Sequence, residues 1–411
     1  MGYLSFLVAN PRFLSFGFGL NVFLALGQTF YISLYNSEIR SALSLSHGEL
    51  AGIYGVATIV GSVCVLVLGR LLDRIDLRLF TGATTIFVAF GCWVFGQANN
   101  VVSLFIGILI IRFTAQGLWG TSAQVSMARY FDADRGKAAA VANTGYALGF
   151  AAFPLIGTYL LSAYDWRTAW NISGWFVLLA VLPLILIQLR GHGERHKYYE
   201  KNLAELTEGP IETQIRQWTM SEVLKDVRFW LIQPAMIAVP SIVFAIQFHQ
   251  LYLVELKGWD LTRFAGSYSL FAVMSLAATL VGGVLVDRYG SRRLINAYLW
   301  PLIPALLVLG LMEHTSAIFF LMALTGFTFG LGLVVFVTLW AEMYGTKYMG
   351  AIRSFNVFFN VMVASCIMVL TGWLIDQKVS LMAMCNGGIA LVFCSLVLFA
   401  IERRITLIRP K

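Results

Sequence analysis

Long apolar runs, each bounded by a few charged or turn-forming residues, recur along the whole chain. About twelve are long enough to cross a hydrocarbon layer of roughly 30 Å at 1.5 Å of helix per residue. They cover approximately 13–34, 49–68, 79–97, 100–127, 138–162, 168–189, 229–252, 264–286, 294–312, 316–341, 350–374 and 380–401. Most connections are short, which suits antiparallel neighbours in a bundle. One is not: from about Arg190 to Val227 the chain is polar, and this stretch falls between the sixth and seventh runs. The pattern predicts an all-α integral membrane protein of twelve transmembrane helices in two six-helix bundles. The bundles take residues 1–190 and 228–411, joined by a central loop at 191–227. Inside that loop Ser221 is expected to cap a short interfacial helix, with Trp218 beside it.

A charged motif appears twice, 214 residues apart, and makes the two bundles pseudo-symmetric. The first copy is Gly69-Arg-Leu-Leu-Asp73-Arg74-Ile-Asp76-Leu-Arg78 and the second Gly283-Val-Leu-Val-Asp287-Arg288-Tyr-Gly290-Ser-Arg292-Arg293. Each lies between two apolar runs, as a charged hinge would. A repeat at half the chain length is the architecture of a secondary transporter. Composition agrees: 59% of the residues are apolar and only 12% charged, too few to cover a soluble surface.

The charges also orient the chain. With both termini inside, only Arg40, Arg167, Lys257, Arg263 and Lys378 fall outside, and about 23 of the 29 Lys and Arg fall within. That bias predicts cytoplasmic termini, and it accounts for the net charge of +8 through anionic headgroups rather than nucleic acid. The first run, following Asn10-Pro11-Arg12 with no small-residue cleavage site behind it, reads as a retained helix. The five cysteines lie inside runs with no metal-like spacing and read as packing residues. Nucleotide-loop and zinc-hydrolase motifs are missing, so neither an enzyme nor a bound cofactor is expected.

The duplicated motif resembles the signature of the major facilitator superfamily, G-x-L-x-D-R-x-G-x-R/K, found between helices two and three and again between eight and nine. In the first copy Asp76 replaces the second glycine, where a left-handed turn would be less comfortable. Arg112-Phe-Thr-Ala-Gln116-Gly117 resembles the family's R-x-x-x-Q-G motif in helix four. The fifth run, Gly145 to Gly157, only partly resembles the antiporter signature, because Phe153 precedes Pro154. Gly27-Gln28-Thr-Phe-Tyr31-Ile-Ser33, Phe248-His249-Gln250, and Trp340-Ala-Glu342-Met-Tyr344-Gly345 leading to Arg353 are similar to a bacterial branch near the oxalate/formate antiporter and the monocarboxylate transporters. The resemblance implies a substrate held between the halves, near the midplane, by helices one, four, seven and ten.

Arg112 is the one basic residue inside the membrane, about twelve residues and so roughly 18 Å from the outer end of its span. A centred arginine costs at least about 2.5–3.5 kcal/mol, so it must face a partner or water. Two roles stay open for it: a structural brace, or a group that binds an anion or couples protons. No Asp or Glu lies well inside any run, which disfavours a cationic solute and favours an anionic or neutral one. The substrate-binding candidates are Gln28, Arg112, Gln116, Gln247 and His249. The candidates for conformational gating are Gly69, Asp73, Arg74, Gly283, Asp287, Arg288 and Gly290. Asn21 shares a helix face with Gln28, and Asn356 with Asn360; bonding to neighbouring helices is the plainer role for such amides. Gly145, Gly149 and Gly157, and Gly326, Gly330 and Gly332, read as close-packing faces.

The expected protein is therefore a monomeric secondary transporter in a bacterial inner membrane. It would carry a small organic solute, a carboxylate-type anion first among the classes, by alternating access, with a proton or anion as partner ion. Two other readings remain: an exporter of drug-like or metabolite compounds on the same fold, and a non-transporting membrane sensor.

Overall fold

The computed structural model of the chain describes residues 3–73, 75–131, 135–196, 218–345 and 348–408. Every regular element among them is helical. The first half holds α1 (Tyr3–Ala9), α2 (Pro11–Phe23), α3 (Thr29–Ile32), α4 (Asn36–Leu43), α5 (His47–Leu68), α6 (Leu77–Gly96) and α7 (Val101–Ile111). It continues through α8 (Gly120–Tyr130), α9 (Arg135–Ala163), α10 (Trp166–Phe176) and α11 (Leu182–Gln188). The second half holds α12 (Met220–Lys225), α13 (Val227–Phe248), α14 (Gln250–Lys257), α15 (Leu261–Tyr289) and α16 (Ser291–Leu299). It ends with α17 (Leu302–Leu311), α18 (Ala317–Tyr344), α19 (Met349–Asp376) and α20 (Leu381–Ile408). Among the described residues eleven helical stretches are long and apolar enough to cross a membrane. A bent pair, Pro11–Gly27 and Thr29–Leu43, makes a twelfth. The chain is a multi-pass membrane protein.

Two compact units result. One is Met1–Ser44 with Val56–Thr213, the other Leu45–Gly55 with Gln214–Lys411. The helix α5 thus contributes its first turns to the second unit and the rest to the first.

The helix starts follow from short polar side chains that accept the orphan N–H groups of a first turn. Asn100 and Ser103 form a reciprocal capping box ahead of α7, and Asp260 accepts the Arg263 N–H at 2.7 Å at the head of α15. Asp165 accepts the N–H and hydroxyl of Thr168, both at 2.9 Å, and those bonds hold its carboxyl below the usual carboxylate range. The cap expected at Ser221 belongs instead to Thr219, whose N–H and hydroxyl both donate to Glu222 Oε2. The helix begins one residue earlier than Ser221, because only Thr219 stands three residues before a glutamate.

The glycine faces are seams between helix backbones. A β carbon on Gly145 in α9 would overlap the Phe18 carbonyl oxygen of α2, and one on Gly330 in α18 would overlap the Ser275 carbonyl oxygen of α15. Both units thus hold helices in backbone contact, where lipid supplies no hydrophobic drive and close approach must replace it. The α9 and α2 pair is further joined by Asn21 Nδ2, which donates to the Ala142 carbonyl at 2.9 Å. Asn21 serves as an interhelical bond. It does not continue a helix face to Gln28, since the helix is interrupted between them.

Candidate functional site

In the first unit the membrane helix formed by α2 to α4 is broken at its middle. A 3-10 turn covers Leu24–Gly27, Gln28 is extended (φ −82°, ψ 150°), and the halves meet at 46°. The break exposes carbonyl groups that a continuous helix would satisfy. Arg112 answers them. Its Nη1 donates to the Gly27 carbonyl at 2.8 Å, its Nε donates to Thr58 Oγ1 at 3.1 Å, and Thr29 Oγ1 stands 3.5 Å from Nη1. The guanidinium is buried, with 7% of the residue exposed. The two shorter bonds, to uncharged oxygens, take part of its donor capacity.

Arg112 also opens a π-helical segment, Arg112–Trp119, between α7 and α8. Segments of this kind are frequent at functional sites. Gly27 lies so close to it that a β carbon there would stand 2.7 Å from the Gln116 backbone nitrogen. Gln116 Nε2 approaches Gln28 Oε1 at 3.5 Å, a long contact that brings both amides beside the break. The structure thus gathers three of the sequence candidates, Gln28, Arg112 and Gln116, around one broken helix. Sequence reasoning missed Thr29 and Thr58. A threonine in an apolar run carries no signal of its own, because most bond back to their own helix, as Thr81 does with the Leu77 carbonyl.

The second unit repeats the theme with other residues. Its first membrane helix is interrupted at His249, between α13 and α14. His249 is buried, and its Nε2 lies 3.1 Å from the Met368 carbonyl of α19. Gln247 is buried two residues before it, and Gln250 accepts the Tyr268 hydroxyl at 3.0 Å. Asn356 accepts Gln233 Nε2 at 2.7 Å, tying α13 to α19 well away from His249 in sequence.

The two charged corners are built differently. Gly290 ends α15 with φ +79°, the left-handed region that favours glycine, and α16 starts at once. In the first copy the chain avoids that region. Asp76 has φ −51° and ψ 132°, and its side chain caps α6 by accepting the N–H groups of Arg78 at 2.9 Å and Leu79 at 3.3 Å. The discomfort expected of an aspartate there does not arise, because no left-handed turn is made. Gly69 begins a 3-10 segment that ends at Asp73, and no atom stands within 4 Å of a β carbon built on Gly69 or Gly283. The Arg288 guanidinium lies 5.4 Å from the Tyr289 ring centre. The side chains of Asp73 and Asp287, all of Arg74, and residues 197–217 of the central loop lie outside the described residues.

Near the first corner a buried histidine, His192, stacks on Phe13 at 5.6 Å and meets Tyr130 edge-on at 4.7 Å. Burial pushes its imidazole down to about 4, against the pull of Asp76 and with the help of the cationic Arg195. The Arg195 guanidinium covers the same Phe13 ring at 4.0 Å. In the second unit Asp226 accepts the Arg228 guanidinium and the Tyr344 hydroxyl. Burial alone would raise its carboxyl, but Arg228 outweighs that and holds it below its ordinary value. Among the described residues no group of three or more His, Cys, Asp or Glu stands close enough to hold a metal ion.

Two sets of membrane helices, each opening on a broken helix and followed by a corner of the duplicated motif, define a multi-span membrane protein of duplicated architecture. The chain belongs to the Major Facilitator Superfamily, whose family model matches residues 17–367. Over 323 residues it is 22% identical to the uncharacterized MFS-type transporter YhjX of Escherichia coli, covering 78% of each chain. Over 283 residues it is 25% identical to the membrane sensor protein UhpC of the same organism, covering 65% of this chain and 62% of that one. Among solved structures, the nucleoside transporter NupG superposes with a TM-score of 0.65 at 13% identity, over 95% of this chain and 98% of that one. At that identity the likeness speaks for the fold alone.

Proposed function

We propose that the protein is a secondary active transporter of a small organic solute bearing a carboxylate, working by alternating access across a bacterial inner membrane. The observation that carries the substrate class is the position of Arg112, a guanidinium buried beside the break in the first membrane helix. A positive charge held at that depth lowers the energy of an anion nearby and raises that of a cation. Gln28 and Gln116 beside it, with Gln247 and His249 in the other half, are the groups proposed to contact the solute. The similarity to an MFS-type transporter supports the transport reading, and the motifs similar to the oxalate/formate branch support the carboxylate. In this reading residues 1–190 and 228–411 are the moving halves, 191–227 joins them, and both termini are cytoplasmic. The corners at Gly69, Asp73, Arg74, Gly283, Asp287, Arg288 and Gly290 govern the exchange between states.

The test is thermal stabilisation of the detergent-purified protein by carboxylic acids and their neutral amide counterparts. A ligand at 100 times its Kd adds about 2.7 kcal/mol to the folded state, whichever way it is transported. Carboxylates should stabilise and their amides should not. Equal stabilisation by both, or by neutral solutes alone, would remove the charge argument.

One observation favours a second reading. The similarity to a protein described as a membrane sensor allows a chain that binds its solute without moving it. Flux of the stabilising ligand in proteoliposomes separates the two: accumulation supports the carrier, and binding without flux supports the sensor.

A further inference from the structure

Within the second unit the first turns of α5 lie against the last turns of α19. Both carboxylate oxygens of Asp376 are engaged there: Oδ1 accepts the His47 N–H at 2.9 Å and Oδ2 accepts the Gly48 N–H at 2.7 Å. A charge therefore sits on two of the orphan donors of a 22-residue helix, at the end where its dipole is positive. Behind this cap the two backbones touch. A β carbon on Gly372 would stand 2.9 Å from the His47 carbonyl oxygen and 3.1 Å from the Ala51 β carbon. One on Gly55 would stand 3.0 Å from the Val369 side chain. The seam with α19 is close over about two turns and capped at one end by Asp376, while the His47 and Tyr54 rings of the same turns pack on Tyr252 and Phe248. Past Gly55 the same helix belongs to the other unit.

We propose that Asp376 is a releasable latch: its bonds to the start of α5 keep the seam with α19 shut, and breaking them lets the first turns of α5 part from α19. The helices meet through glycines and small side chains at Gly48, Ala51 and Gly372, so little there has to repack once the fastening is undone, and the carboxylate that holds the helix start sets how often that happens. Its place in a transport cycle rests on the carrier reading above, whereas the latch itself does not.

The test needs no substrate. Ala51 is fully buried in the seam. In a background with the native cysteines replaced, Ala51→Cys reports opening through its rate of reaction with a maleimide in the purified protein. Asp376→Ala should raise that rate at least about tenfold, corresponding to roughly 1.4 kcal/mol, with Asp376→Asn between it and the parent. Asp260→Ala removes a comparable cap from α15 in the same unit and should leave the rate unchanged. Hydrogen exchange over residues 45–55, in protein that keeps Ala51, should accelerate in step in Asp376→Ala. Parent-like labelling and exchange in Asp376→Ala overturn the latch, as does equal acceleration by Asp260→Ala. Either result leaves the carrier reading where it stands, and a chain that transports nothing would leave the latch intact.

Discussion

Shortening the guanidinium of Arg112 tests the structure where its meaning is greatest. Two of the bonds it donates lie within ordinary N–H···O range, 2.8 Å to the Gly27 carbonyl and 3.1 Å to the Thr58 hydroxyl. The 3.5 Å approach to Thr29 is too long to count. Lysine keeps the charge, but its single ammonium does not span both acceptors, so Arg112→Lys forfeits at least one charge-assisted bond, about 1.5–3 kcal/mol. Glutamine loses the charge and the reach. It sheds the desolvation of a buried cation but leaves the Gly27 carbonyl unpaired at the helix break, at about 1–3 kcal/mol. For a unit of this size each kcal/mol moves the unfolding midpoint by roughly 2–4 °C, so Arg112→Lys should unfold about 3–12 °C lower. The assay is tryptophan fluorescence on heating in detergent, with the affinity for a stabilising carboxylate measured on the same samples. If Arg112→Lys and Arg112→Gln both melt with the parent, the bracing role deduced from these distances is wrong. If Arg112→Gln is folded and binds the carboxylate with parent affinity, the anionic substrate loses its main support.

Three further outcomes are expected. Gly330→Ala drives a β carbon into the Ser275 carbonyl, and overpacking of about 1–3 kcal/mol should lower the unfolding temperature in detergent, whereas alanine at Gly283, which faces open space, should not. His192 is held neutral in the folded state, so below its ordinary value of 6.5 the unfolded chain binds a proton that the native one refuses. Stability should fall as pH drops from about 6.5 toward 4 and stay level above. The parent should therefore lose on the order of 2 kcal/mol relative to His192→Phe between pH 7.5 and pH 5, and a constant difference would contradict it. Single cysteines at 191–215, on a background without the native ones, should react with an impermeant thiol reagent in inside-out vesicles only; labelling of intact cells would reverse the orientation drawn from the charges.

The spans were legible because hydropathy acts over twenty residues at a time and needs no partner to be read. Arg112 stood out for the same reason, as a charge where lipid forbids one. What holds it did not. The break at Gln28 falls inside an apolar run with no proline, and it exists because Arg112, far along the chain, is there to satisfy the Gly27 carbonyl. The π segment beginning at Arg112 has no compositional mark either. Asp76 was misread because the glycine of the motif suggested its own left-handed geometry, whereas an aspartate can turn the corner by capping the next helix. The division of α5 at Gly55 depends on what each end packs against, and periodicity is blind to that.

The staple at Gly27 has a consequence for how the protein is made. Domains emerge from the ribosome N-terminal end first, so the broken first helix must enter the bilayer before the residue that completes it has been translated. Until Arg112 arrives, the Gly27 carbonyl has to be shielded by water, by the insertion machinery or by a temporarily straight helix. When the fourth span does enter, its arginine meets acceptors on the first two spans that are already waiting, which offsets the cost of bringing a cation into lipid. The first four spans are thus committed as a group during biogenesis, and a truncation that ends before Arg112 should leave a nascent chain whose first helix has not found its final shape.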